Sequence, residues 1–151
     1  MVVVDRISKM AYFVPWCTTN DASQIANLYF KEIVKLQNIP KSKVSDRDTK
    51  FLSHFWLTLW RKMGTHLMFS TTLHPQTDRR TKVTNQTLGT LLRVLVNKNI
   101  KGWDELLLHV EFSSNRAPSK ATNLSPFQVV YGLNPRTPLD LTVISTPTKF
   151  S

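Results

Sequence analysis

Apolar residues recur along this chain at two different periods, and the switches between them outline the elements. Val2-Val3-Val4 is a short β-branched run and Ala11 to Val14 a second apolar run; the polar stretch Arg6 to Lys9 between them suits a hairpin connection. Thr18-Thr19-Asn20-Asp21 offers capping side chains, after which Ala22, Ile25, Ala26, Tyr29, Ile33 and Leu36 recur at helical spacing until Asn38 and Pro40. Lys43 to Asp46 reads as a short strand. Ser53 can cap a helix that carries Phe55, Trp56, Leu59, Trp60 and Met63 on one face, with Gly64 as its stop. His66 to Ser70 reads as another strand and Thr71 to Thr77 as a polar loop. A longer helix is expected from about Asp78 to Asn97, with Leu88, Leu91, Leu92 and Leu95 toward a core, and Trp103, Leu106, Leu107 and Val110 form a further apolar stripe. Ser125-Pro126-Phe127-Gln128 combines a capping serine, a proline at the first helical position and a capping-box glutamine, and Tyr131-Gly132 closes that helix. The order is strand, strand, helix, strand, helix, strand, then helices, a mixed α/β pattern. It forms one domain over residues 1–134, and residues 135–151, with Pro135, Pro138 and Pro147, read as an irregular tail.

Composition narrows the class. At 151 residues and 41% hydrophobic, the chain has the length of about one domain and enough apolar side chains for a core. No stretch approaches the roughly 20 apolar residues of a membrane helix. Asp5, Arg6 and Lys9 within the first ten residues argue against a signal peptide. Lys plus Arg is 20 against 10 for Asp plus Glu, a net charge of +10. Such an excess favours polyanions, either nucleic acid or an anionic membrane surface, and nucleic acid is the preferred reading. Cys17 is the single cysteine, which fits a reducing compartment, and His54, His66, His74 and His109 have no partners at zinc-finger spacing.

Four strings then become specific. Val2-Val3-Val4-Asp5-Arg6-Ile7-Ser8-Lys9-Met10, Val44-Ser45-Asp46-Arg47-Asp48-Thr49-Lys50-Phe51, His74-Pro75-Gln76-Thr77-Asp78 and Ser125-Pro126-Phe127-Gln128-Val129-Val130-Tyr131-Gly132 stand in this order. Together they resemble the second-strand segment, the second catalytic motif, the approach to the third motif and the late helix of integrase catalytic cores from gypsy-type LTR retrotransposon polyproteins, which are similar to retroviral integrases. The resemblance runs from residue 1 to about residue 141. It implies an RNase H-like mixed sheet flanked by helices, and DNA integration by polynucleotidyl transfer. In that chemistry three carboxylates hold two divalent ions about 4 Å apart, Mg2+ or Mn2+.

Carried over residue by residue, the family's second aspartate falls on Asp46, which becomes the expected catalytic and metal-binding acid. The plain alternative is a turn acid, since Ser-Asp-Arg-Asp is a good turn sequence. The family's glutamate falls on position 82, where this chain has Lys82, preceded by Arg79 and Arg80. A lysine ammonium only donates and cannot ligate a cation. At an effective dielectric of 20, each unit charge pair at about 4 Å is worth roughly 4 kcal/mol, so exchanging an acid for a base there is a large change. The family's first aspartate precedes the Val2–Val4 segment, so the chain is expected to lack the first, central strand of the sheet and the ligand it carries. Asp5 matches a different family position and reads as a hairpin-turn acid.

The expectation is therefore a degenerate integrase core that binds nucleic acid without catalysis, through Lys50, Arg79, Arg80 and Lys82, with Lys41, Lys43, Lys98 and Lys101 adding positive charge. Its expected partners are DNA and further integrase chains, with no membrane, and its place is the nucleus. Two alternatives stay open: a noncatalytic module used by the host for DNA or protein binding, and an active integrase if the upstream residues and an acid at position 82 are restored. Trp16, Trp56, Trp60 and Trp103 are candidate stacking platforms, with core packing preferred for the last three and Trp16 unplaced.

Overall fold

The computed structural model describes residues 1–69, 83, 86–90, 93, 102–120, 122–138 and 140. Its elements follow the expected order. Strands β1 (Val2–Val4) and β2 (Ala11–Phe13) form an antiparallel hairpin in which Val3 faces Tyr12. Asp5 makes the connection: its Oδ2 accepts from the Ile7 and Ser8 amides at 3.2 and 2.7 Å and from the Ser8 hydroxyl at 2.6 Å. These bonds hold the carboxyl below its ordinary pKa against the desolvation that opposes them. Asp5 is thus a turn acid, as its sequence context suggested.

Helix α1 (Ala22–Tyr29) starts with a capping box. Asp21 Oδ1 accepts from the Gln24 amide at 2.8 Å, and Gln24 Oε1 accepts from the Asp21 amide at 2.9 Å. It continues through a π-helical turn (Phe30–Val34) into α2 (Lys35–Gln37). The wider turn rotates later residues off the 3.6-residue stripe. Leu36, expected in the core, is exposed for this reason. Strand β3 (Ser42–Ser45) pairs in parallel with β4 (His66–Phe69), and α3 (His54–Lys62) connects them. Ser53 caps α3 through the Trp56 amide. Trp56 and Trp60 are fully buried at the centre of its apolar face, whereas Phe55, one helical step of about 100° from Trp56, is 47% exposed. Residues 86–90 are helical, and the rest of the long helix expected from Asp78 to Asn97, apart from positions 83 and 93, lies outside the described residues. Helices α4 (Trp103–Arg116) and α5 (Pro126–Tyr131) follow, the latter with the expected capping box between Ser125 and Gln128.

The described strands make two separate two-stranded sheets. This suits an RNase H-like arrangement whose middle strand is not among them. The β1–β2 hairpin is covered on both faces. Met10, Tyr12 and Val14 join Ile25, Tyr29, Trp56 and Trp60 in the larger core, while Ala11 and Phe13 join Leu107 and Val110 in a smaller one. That double cover explains why residues 11–14 read as an unbroken apolar run rather than an alternation.

Helix α4 also closes the outer edge of β2. Asn115 accepts from the Ala11 amide through Oδ1 and donates to the Ala11 carbonyl through Nδ2, both at 2.8 Å, and Glu111 Oε2 accepts from the Phe13 amide at 2.7 Å. The two side chains, four residues apart on one helix face, stand in for a neighbouring strand. Burial pushes the Glu111 carboxyl pKa upward, and the bond from Phe13 opposes that shift. Asn115→Ala leaves two buried peptide groups of Ala11 unpaired and is expected to cost about 2–4 kcal/mol in denaturant unfolding, with faster hydrogen exchange at the Ala11 amide. The exposed neighbour Ser113→Ala is expected to change stability by less than about 0.5 kcal/mol.

Candidate nucleic-acid interface

Asp46 follows the last residue of β3 directly and is exposed. Because β3 and β4 run parallel with Ser45 opposite Phe69, β4 delivers the chain to the same edge at which Asp46 stands. Ligand-binding groups collect at such carboxyl ends of parallel strands. The segment after Asp46 is a tight polar turn. Asp48 Oδ1 accepts from the Lys50 amide at 2.9 Å, and its carbonyl accepts from the Phe51 and Leu52 amides at 3.0 and 3.1 Å. Phe51 anchors the turn to α3, its ring 5.2 Å from that of Trp56.

Lys50 reaches from this turn to the β2–α1 connection. Its ammonium lies 4.6 Å from the centre of the Trp16 ring and donates to the Thr18 carbonyl. The connection is itself braced, with Asn20 Oδ1 accepting from the Cys17 amide at 2.6 Å and the Asn20 amide donating to the Cys17 carbonyl. So Asp46, Lys50 and Trp16 belong to two neighbouring loops. Of the other expected DNA-contacting residues, Arg79, Arg80 and Lys82 lie outside the described residues.

Lys43 corrects one expectation. It was counted with the surface charge, yet its Nζ is buried, 3.6 Å from the Tyr29 ring centre and 4.5 and 4.6 Å from those of Trp56 and Trp60. Alternation along β3 places Lys43 and Ser45 on the helix-covered face and Val44 on the open one, the reverse of their polarity. Among the described residues the amine has no hydrogen-bond acceptor, so only the ring faces and the Asp46 charge favour its cation. Burial wins over that attraction, and the Lys43 pKa falls to about 7. Trp103 corrects another: it was expected to pack in the core, but as the first residue of α4 it is 42% exposed.

A divalent metal pair would need several oxygen donors at this strand end. Asp46 offers an exposed carboxylate, Asp48 spends Oδ1 on its own turn, and the buried cation in the same strand is a lysine. Among the described residues no three His, Cys, Asp or Glu side chains come together. The donors among the described residues do not by themselves fit a two-ion centre.

No family model matches the chain. It is 35% identical over 148 residues, 97% of its length, to the Transposon Tf2-3 and Tf2-4 polyproteins of Schizosaccharomyces pombe (strain 972 / ATCC 24843). This chain belongs with retrotransposon polyproteins. It spans about a tenth, 11%, of the length of those relatives. Solved structures carry the same fold. A chain of the simian T-cell lymphotropic virus intasome in complex with PP2A regulatory subunit B56 gamma matches 91% of this integrase-core chain and 49% of its own, with a TM-score of 0.74 and 16% identity. The HTLV-2 integrase catalytic core domain in complex with magnesium, in its trimeric form, matches 85% of this chain and 81% of its own, with a TM-score of 0.67 and 14% identity. The RNase H-like architecture expected from the sequence is thereby established.

The buried amine gives this integrase core a defined pH response. A lysine whose folded pKa is depressed to about 7, against an ordinary 10.5, sheds its proton earlier in the folded state than in the unfolded chain. Between about pH 7 and 10 the unfolded state binds more protons, so stability rises with pH across that window; below it the full cost of the buried cation applies. Above pH 10 the trend reverses, because burial raises the Tyr12 and Tyr29 pKa values from 10.0 to about 12, so the folded state keeps protons that the unfolded state loses. Lys43→Met is expected to raise stability at pH 7 by about 1–4 kcal/mol and to flatten the rise between pH 7 and 10, as read by urea unfolding at a series of pH values.

Proposed function

We propose that this integrase core binds DNA through backbone phosphates and does not catalyse strand transfer with its own residues. The observation that carries the catalytic half is the identity of position 82: the glutamate expected there by resemblance is Lys82. An ammonium brings a donor and a positive charge where the two-metal reaction requires an acceptor. What supports the binding half is the excess of 20 Lys and Arg over 10 Asp and Glu, with Lys50 held beside the exposed end of β3 and Arg79, Arg80 and Lys82 following in sequence. Phosphate contacts of this kind set affinity and carry no sequence information.

The neighbours' own descriptions, an intasome and dimeric and trimeric forms of a catalytic core, support an assembly role with other integrase chains. Within such an assembly this core would contribute DNA contacts while another chain supplies the metal site. Its place of action would be the nucleus, where integration meets its target.

If Lys50, Arg79, Arg80 and Lys82 each neutralise one phosphate, affinity for duplex DNA falls roughly a hundredfold between about 50 and 200 mM salt. Fluorescence anisotropy with labelled duplexes of unrelated sequence tests this; salt-independent binding, or strong preference for one sequence, overturns the phosphate reading. Incubation of the protein with element-end DNA and Mg2+ or Mn2+ is expected to give no joined products. Joined products that vanish in Asp46→Asn would show instead that the chain is catalytic.

A further inference from the structure

Two of the four tryptophans, Trp16 at the margin of the larger core and the exposed Trp103, line one groove. Trp16, from the β2–α1 connection, and Trp103, from the first position of α4, face a cavity of about 230 Å³ whose other walls include Val14, Pro15, Leu88 and Leu107. Every side chain lining it is apolar. Trp103 keeps 42% of its surface in solvent, although the buried Leu107 one turn later shows that the same helix face can be covered. Lys50 marks the rim, its ammonium 4.6 Å from the Trp16 ring centre. The acids Asp104 and Glu105, both exposed, follow Trp103 in the first turn of α4.

We propose that this groove is a stacking site for an unpaired nucleobase of bound DNA, with Trp16 and Trp103 taking the base and Lys50 the adjoining phosphate. The proposal rests on the DNA-binding reading above and extends it from phosphates to bases. The lining side chains are apolar and the Met1 ammonium at its wall is bonded to the Val14 carbonyl, so the walls favour a flat aromatic face, which every base has, over a phosphate. The groove is smaller than the roughly 300–1,000 Å³ of sites for drug-sized ligands, so it suits one planar ring system rather than a larger ligand. Charge sets the direction of the strand. The Lys50 side attracts the backbone, and the Asp104–Glu105 side repels it, so the base enters with its phosphate toward the β3 end where Asp46 stands. Stacking of this kind tolerates sequence but requires the base to be out of a duplex, so the site would distinguish frayed or overhanging ends from blunt ones.

Anisotropy titrations of the 151-residue chain at one low salt concentration test this with three labelled DNAs: a blunt duplex, the same duplex with a short unpaired overhang, and that overhang with its bases removed but its phosphates kept. The overhang is expected to bind about tenfold more tightly than the blunt duplex, and the abasic overhang to lose most of that gain. Trp16→Ala and Trp103→Ala are each expected to bring the overhang-to-blunt ratio close to one, while Trp16→Tyr keeps part of the preference. Should Trp16→Ala fail to fold, Trp103→Ala and Trp16→Tyr still decide the matter. An equal affinity for overhang and blunt ends, or for abasic and intact overhangs, overturns the stacking site and leaves the phosphate reading standing. If none of the three DNAs binds, the phosphate reading fails and the stacking site falls with it.

Discussion

A β-strand carries peptide donors and acceptors along both edges, and a buried edge left unpaired costs more than most side-chain contacts return. In this protein the described strands come only in pairs, so each pair has to dispose of two outer edges. The outer edge of β2 is settled by Asn115 and Glu111, and this ties α4 to the hairpin more firmly than apolar contact alone. Asp5 and Met10, and Met1 and Val14, bond across the hairpin, so Val2 and Val4 turn their peptide groups to the opposite edge. On β3 the bond from the His66 amide to the Lys41 carbonyl sets a pattern in which Ser42 and Val44 likewise face away from β4. Of the four outer edges, that of β2 is thus closed by side chains, while β1 and β3 turn peptide groups to edges that pair with no strand among the described residues.

The same need to satisfy buried groups explains the aromatic core. Lys43 brings a cation into the space between α1 and α3, and three ring faces surround it in place of oxygen atoms. Tyr29 and Trp60 meet edge to face at 5.0 Å, and Trp56 and Trp60 at 5.6 Å, so their relative orientation is fixed by ring packing as well as by the ammonium. A methionine would fill that space with less desolvation. The lysine therefore spends stability on holding its amine three residues before Asp46.

What could be read from the residues in order was mostly local. The Asp5 turn, the Asp21–Gln24 and Ser125–Gln128 capping boxes and the Gly64 stop each involve partners within a few positions, and their side-chain chemistry dictates the geometry. The apolar pattern already supplied the order of the elements and a strand ending at Asp46, and the family resemblance assigned that acid its expected role. The interactions that eluded the sequence join residues far apart. Asn115 meets Ala11 across 104 positions, and Lys50 meets Trp16 and Thr18 across a strand and two helices. Lys43 was assigned to the surface because polarity usually decides which face of a strand is solvent-exposed. Here helices cover the Lys43 face, and Val44 lies on the other. A run of aromatic residues at helical spacing in two helices flanking a strand with one inward lysine is the signal that would have located it, and it requires knowing first which face the helices cover.

In the reading proposed above, loss of catalysis and retention of DNA affinity would both follow from one substitution. A two-metal centre concentrates carboxylates that repel phosphate until cations neutralise them, so an integrase site without its ions is a poor surface for DNA. Lys82, at the position that the resemblance gives to a glutamate, removes one of those repulsive charges and adds an attractive one, a change of two unit charges in the sequence. Asp46 is the acid that remains, and Lys43 within the strand and Lys50 four residues on offset it. On that reading the balance of charge moves from holding cations to holding the polyanion itself, and DNA affinity would not depend on metal.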